Sequence, residues 1–278
     1  MTWSLGRIAL SLGLNAAVVL LARWRRSVSA GGACGAFVVG TGILVLGGYG
    51  YWSLLLLFFV TSTLVSRIGS SRKADLAGIH ERGGERDLVQ VAANGLPGLF
   101  AVVALAITGH QAFGVAVAAA FAATNADTWG SEIGVLSTRA PRSILTGEVV
   151  PVGLSGGVTW EGTIASLAGA LLVGLWFGAA ILLSAIADGA GPVPGIARLA
   201  SLSGIVAVSG YAGSVIDSVL GASVQAQYAS AKGIVTERRS DDNARNRLVR
   251  GLRWMTNDVV NFVSALTAAA LGGALSLL

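Results

Sequence analysis

Charge is scarce in this chain, and so are the side chains that soluble enzymes use for metal binding and acid–base work. Only 12% of the 278 residues are Asp, Glu, Lys or Arg, about half the share of an ordinary soluble domain. Hydrophobic residues make up 54% and the mean hydropathy is +0.72, more than a soluble core could absorb. The single Cys34 excludes an internal disulfide, and two histidines with no C-x-x-C pair exclude the usual zinc sites. Any metal must therefore sit on oxygen. There is no Walker A lysine, and His80 and His110 fall in loops, which leaves no histidine base. The first apolar stretch has Arg7 inside its beginning rather than a basic cluster ahead of it, so it reads as a retained helix and not a cleaved signal.

What the chain does have is apolar length. Windows of about 20 residues predict eight transmembrane helices, at 3–22, 31–48, 51–67, 91–108, 112–136, 160–187, 198–224 and 257–277. The fold class is an all-α polytopic bundle, a single transmembrane domain over residues 1–278. Of the 19 Lys and Arg, all but Arg7 and Arg198 fall in alternate connections, after the first, third, fifth and seventh spans. The positive-inside bias assigns those connections to the cytoplasm and both termini to the outside, in a plasma or inner membrane. The net charge of +5 needs no nucleic-acid partner, because basic loops beside anionic headgroups account for it. Gly31/Gly35 and Gly174/Gly178 at G-x-x-x-G spacing read as close helix packing, and a homo-oligomer is allowed. Trp3, Trp52 and Trp176 read as interfacial anchors or lipid-facing bulk.

The acidic residues carry more information. Asp127 and Glu132 lie in the fifth span, Asp217 in the seventh, and Asp258 and Glu161 open the eighth and sixth. A carboxylate at the bilayer centre costs about 2.5–3.5 kcal/mol on insertion scales, so several together imply a compensating role. Span direction puts all five in the cytoplasmic half, with Asn94 beside them, which predicts one polar pocket lined by helices four to eight. Thr124, Asp127, Thr128 and Ser131 share one helical face, Asn125 with Glu132 marks an adjoining one, and Ser214, Asp217, Ser218 and Gly221 repeat the spacing on span seven. Asp258 and Asn261 form an i, i+3 pair on span eight. Faces of acids and hydroxyls suit Mg²⁺, with Asp127, Asp217 and Asp258 as its ligands. The bland alternative is a proton relay or ion pairs between helices.

The connection before span six contains Ser155-Gly156-Gly157 and then Thr159-Trp-Glu161, and glycines and hydroxyls ahead of a helix start can present N–H groups to phosphate. Arg82 and Arg86 could clamp a phosphate across a turn, with a solvated loop as the alternative.

These residues also carry a resemblance. Arg82-Gly-Gly-Glu-Arg86-Asp87 with Gln90 and Asn94-Gly95, Ala126-Asp-Thr-Trp-Gly-Ser-Glu-Ile-Gly134, Pro141-Arg142, the Ser155-Gly-Gly loop, Asp217-Ser-Val-Leu-Gly221 and Asn257-Asp-Val-Val-Asn261 resemble the membrane family containing plant phytyl-phosphate kinase. The likeness runs over about residues 67–261. More loosely, Asp127, Ser131 and Gly134 with the later Thr159-Trp-Glu161-Gly162 look like the pattern of dolichol kinases, which use CTP. The chain departs from the pattern at Leu96-Pro97 and at Leu154, neither of which removes a charged group. The resemblance implies a polytopic kinase that transfers the terminal phosphate of a nucleoside triphosphate, CTP by the second likeness, to a prenyl monophosphate. Asp127, Glu132, Asp217 and Asp258 would then be catalytic. Arg82, Arg86, Asn94, Arg142, Ser155, Gly156, Gly157, Thr159 and Glu161 would bind phosphate or nucleotide. A lipid cytidylyltransferase and a lipid transporter or flippase are the alternatives.

Overall fold

The computed structural model describes residues 5–69, 84–188, 194–231, 233–241 and 244–278. Among them are eight helices: α1 (Leu5–Trp24), α2 (Ala30–Gly47), α3 (Tyr49–Arg67), α4 (Leu88–Thr108), α5 (Ala112–Gly134), α6 (Trp160–Asp188), α7 (Ile196–Ser223) and α8 (Asn257–Leu275). Their starts are chemically marked. Ser29 accepts the Gly32 N–H ahead of α2, and Thr256 accepts from Val259 ahead of α8. Asp87 and Gln90 form a reciprocal capping box at α4, which ends on Gly109 in the left-handed conformation.

Contacts between connections sort the helix ends into two groups. At one end, Arg23 pairs with Glu85 at 3.1 Å, Arg67 donates to the Arg25 carbonyl, Gly69 packs on Leu136, and Ser155 meets Gln225 and Glu237. These contacts join all four basic connections. At the other end, Gly114 packs on Tyr51, Gly50 on Ser184 and Gly273 on the Ala112 carbonyl. The alternation read from the basic residues is therefore an arrangement of the folded chain.

α5 lies in the middle, packed against α3, α4, α6, α7 and α8. Every residue from Gly114 to Ala126 is buried, and most are alanine. Small side chains let neighbouring helices come close: Gly210 and Gly213 of α7 lie on Ala122 and Ala123, and Gly272 of α8 lies on Ala119. The expected G-x-x-x-G packing has the same form, with Gly35 facing Leu88 and Val91, and Gly174 facing Ser203 and Ala207.

Six of the eight helices are long and apolar enough to cross a membrane; α5 and α1, whose apolar part is Ile8–Trp24, are not among them. For α5 the reason is chemical. Its 23 residues span about 34 Å, but its last turns, from Thr124 on, are rich in polar residues. The 160–187 stretch forms one continuous helix, α6.

One expectation needs correcting. Trp52 is buried, and its Nε1 donates to Asn15 Oδ1 at 3.2 Å, so it belongs to the core between α1 and α3; Trp3 lies outside the described residues. The basic connections also hold short antiparallel strands in an otherwise helical protein. β1 (Arg142–Ser143) pairs with β2 (Gly157–Val158) between α5 and α6. Between α7 and α8, β3 (Gln227–Ala229) lies between β4 (Val235–Thr236) and β7 (Arg247–Arg250), beside a small hairpin of β5 (Ser240–Asp241) and β6 (Ala244–Arg245).

Candidate functional site

Asp127 of α5 and Asp217 of α7 meet in the interior, with their carboxyl groups at hydrogen-bonding range of each other. α8 completes this contact. Ser264 Oγ donates to Asp217 Oδ2 at 2.9 Å. Asn261, with its amide turned to satisfy both neighbours, donates to the same oxygen at 3.0 Å and to the Asn257 carbonyl at 3.3 Å. Asp258 is buried in the first turn of α8, three residues before Asn261.

Two carboxylates in contact repel each other unless a proton or a cation lies between them. The donor set is carboxylate, amide and hydroxyl oxygen, which matches a hard divalent cation such as Mg²⁺. Among the described residues no group of three His, Cys, Asp or Glu has metal-ligating geometry. A cation here would take two carboxylates from the protein and complete its shell with water and phosphate oxygens, the usual habit of Mg²⁺.

The single pocket expected from the sequence divides at α5. Glu132 faces α3, where Ser66 Oγ donates to its Oε1 at 2.6 Å. Arg86 comes to the same side, donating to Thr63 Oγ1 and Ser62 Oγ, each at 3.0 Å, with its guanidinium 5.5 Å and 5.9 Å from the rings of Phe59 and Phe58. Burial pulls this guanidinium below its ordinary pKa range, and the Glu132 carboxylate opposes the shift. Asn125 ties three helices together: its Oδ1 accepts from Thr61 and its Nδ2 donates to the Gly169 carbonyl, both at 2.9 Å.

The remaining sequence candidates separate further. Asn94 donates to the Gln90 carbonyl and lines a cavity of about 70 Å³ between α1, α2, α3 and α4, with Arg86 in its wall. Arg142 is exposed and donates to the Gly147 carbonyl of its own turn. Thr159 accepts the Gly162 N–H at the start of α6. Glu161 is held there by the Ser137 hydroxyl and lies near Arg139. Arg82 lies outside the described residues.

The Ser155–Gly157 turn packs on the end of α7. Gly156 has φ +82°, and a Cβ there would meet Ala222. This glycine is therefore required by backbone conformation and close packing. The Ser155 N–H, expected to face phosphate, donates to Glu237 Oε1 at 3.0 Å, and Gln225 Nε2 donates to Ser155 Oγ at 2.9 Å. Sequence reasoning missed Glu237, Gln225 and Ser264. Ser264 was findable, because it extends the polar spacing of Asn257 and Asn261 by one further turn. Glu237 and Gln225 sit in an irregular loop where no period marks a buried position.

Comparison with known proteins agrees with the membrane reading. Residues 13–269 match the family described as Integral membrane protein DUF92. The chain is 30% identical to Protein PGR of Arabidopsis thaliana over 95% of its own length and 94% of the plant protein. It is 37% identical to the uncharacterized membrane protein MJ0933 of Methanocaldococcus jannaschii, over 61% of this chain and 70% of the relative. With the uncharacterized membrane protein sll0875 of Synechocystis it shares 29% identity, over 81% and 73%. No solved structure matches the chain.

Proposed function

Since the chain belongs to the DUF92 family of integral membrane proteins, we propose that it is a membrane phosphotransferase that converts a prenyl monophosphate to the diphosphate with a nucleoside triphosphate, CTP in the first instance. One observation carries the reading: two carboxyl groups from different helices are held together inside a membrane bundle, where a hydroxyl and an amide donate to Asp217. Such a pair is costly to bury and is accounted for by a site that handles cations and phosphates. Asp127 and Asp217 lie in the parts of their helices that lead into basic connections, which the distribution of Lys and Arg assigns to the cytoplasm.

The chemistry asks little of a base. A phosphate monoester has its second pKa near 6, so its oxygen is already nucleophilic at neutral pH. That oxygen attacks the terminal phosphorus of the nucleotide; the new O–P bond forms as the bridging bond to the β-phosphate breaks, and the nucleoside diphosphate leaves. The residues that would hold Mg²⁺ are Asp127 and Asp217, with Asp258 one turn away, and a bound ion supplies charge neutralisation to the phosphates. Asn261 and Ser264 fix the Asp217 carboxylate by donating to it. The prenyl chain remains among apolar helix faces.

Purified protein incubated with γ-labelled nucleotides and a panel of prenyl alcohols and monophosphates tests this reading. Label recovered in a prenyl diphosphate supports it. Labelled pyrophosphate released with an unlabelled CDP-lipid product would assign the site to cytidylyl transfer instead, and neither a labelled lipid nor labelled pyrophosphate with any acceptor would defeat both.

A further inference from the structure

The connection between α7 and α8 brings to the site a carboxylate that no membrane helix supplies. Glu237, directly after β4, is 5% exposed, and its Oε1 accepts the Ser155 N–H at 3.0 Å. A buried carboxylate in a loop is costly unless its surroundings hold it there for a purpose. Tyr228 pairs with Thr236 across β3 and β4, so Gln227 and Glu237 are the next opposed residues of the small sheet. Gln225, 1% exposed, donates to Ser155 Oγ, while its Oε1 and the Nε2 of Gln227 are buried without a hydrogen-bond partner. Unmet buried amide atoms beside Ser155 mark a niche that a polar ligand or water completes.

The turn is thereby clamped between the small sheet on one side and Gly221 and Ala222 at the end of α7 on the other. Asp217 lies four residues before Gly221 on that helix. Glu237 reaches this end of the helix through Ser155, whose N–H it accepts and whose side chain lies against Gly221.

We propose that Glu237 is a positioning residue, which fixes the Ser155–Gly157 turn at the end of α7 and adds a negative charge on the Asp217 side of the pair, tightening its hold on a divalent cation. This rests on the reading above that the pair binds such a cation. The two contributions are chemically separable. Glu237→Gln keeps an acceptor for the Ser155 N–H and removes the charge, whereas Glu237→Ala removes both.

Titration of the full chain in detergent with Mn²⁺, followed by electron paramagnetic resonance, measures cation affinity without any need for turnover, and thermal melting without metal monitors the fold. Glu237→Gln is expected to melt close to the wild type and to bind Mn²⁺ about tenfold more weakly. Glu237→Ala should bind more weakly still and melt lower. Glu148→Gln, at an exposed carboxylate in the hairpin after β1, should change neither. Wild-type Mn²⁺ affinity in Glu237→Gln, or an equal loss in Glu148→Gln, overturns the proposal. If Mn²⁺ binds and depends on Glu237 but no phosphate is transferred, the kinase reading fails and this inference stands. If the wild type binds no Mn²⁺, both fall.

Discussion

The two polar faces of α5 are built on opposite principles. On one, Asp127 meets Asp217, like against like, with Asn261 and Ser264 of α8 supporting only one member of the pair. On the other, partners are complementary: Asn125 receives from Thr61 and gives to Gly169, and Glu132 receives from Ser66 on the side where Arg86 packs among hydroxyls and phenyl rings. A satisfied network stabilises the fold and needs no further explanation. A pair of like carboxyl groups in the same interior needs a shared proton or a cation between them, and the proposed reaction uses the cation. Two carboxylates five residues apart, Asp127 and Glu132, thus meet different neighbours.

Substitutions that act on one face alone sharpen this contrast. The largest effect is expected at Asp217→Asn, which keeps shape and loses charge: kcat for phosphate transfer should fall by about 100-fold or more, while the melting temperature holds or rises because a repulsion is removed. A melting temperature that drops with activity would place Asp217 among the structural groups. Asn125→Ala should do the reverse. It removes the bonds to Thr61 and the Gly169 carbonyl and opens a cavity among three helices, costing about 2–4 kcal/mol, measurable as a lower melting temperature in detergent with kcat per folded molecule preserved. Arg86→Lys is expected to cost about 1–2 kcal/mol, since an ammonium cannot reproduce the forked contact with Ser62 and Thr63. Ser66→Ala, which removes one bond to Glu132, should cost about 1 kcal/mol and leave kinetics alone; a large loss of activity there would bring Glu132 back to the chemistry.

Much of this was legible in the sequence. The eight helices lie close to where hydropathy puts them, and the basic residues identify which connections share an end, because both signals come from long apolar runs that tertiary contacts do not rearrange. Span direction placed Asp127 and Asp217 at one depth, and helical spacing grouped Asp258 with Asn261 on α8. It could not decide which face of a central helix meets which neighbour: Asp127 and Glu132 differ by about 140° around the axis, and only the positions of α3 and α7 separate them. The Ser155–Gly157 turn was recognised by composition, but its glycine serves packing against Ala222, and its N–H is taken by Glu237 from 82 residues away. Contacts between irregular loops carry no periodicity, so nothing local announces them. Trp52 was misread for a related reason, since a tryptophan near a helix end looks the same whether it meets lipid or a buried Asn15.

The central claim is that the Asp127–Asp217 pair transfers phosphate with the help of a divalent cation. The most direct test is the rate of label transfer from γ-labelled CTP to a prenyl monophosphate by the purified wild type and by Asp127→Asn, each with Mg²⁺ and in excess EDTA. Turnover is expected only with Mg²⁺, and Asp127→Asn should be slower than the wild type by about 100-fold or more. Full wild-type turnover in EDTA, or near-normal turnover by Asp127→Asn, would contradict the account.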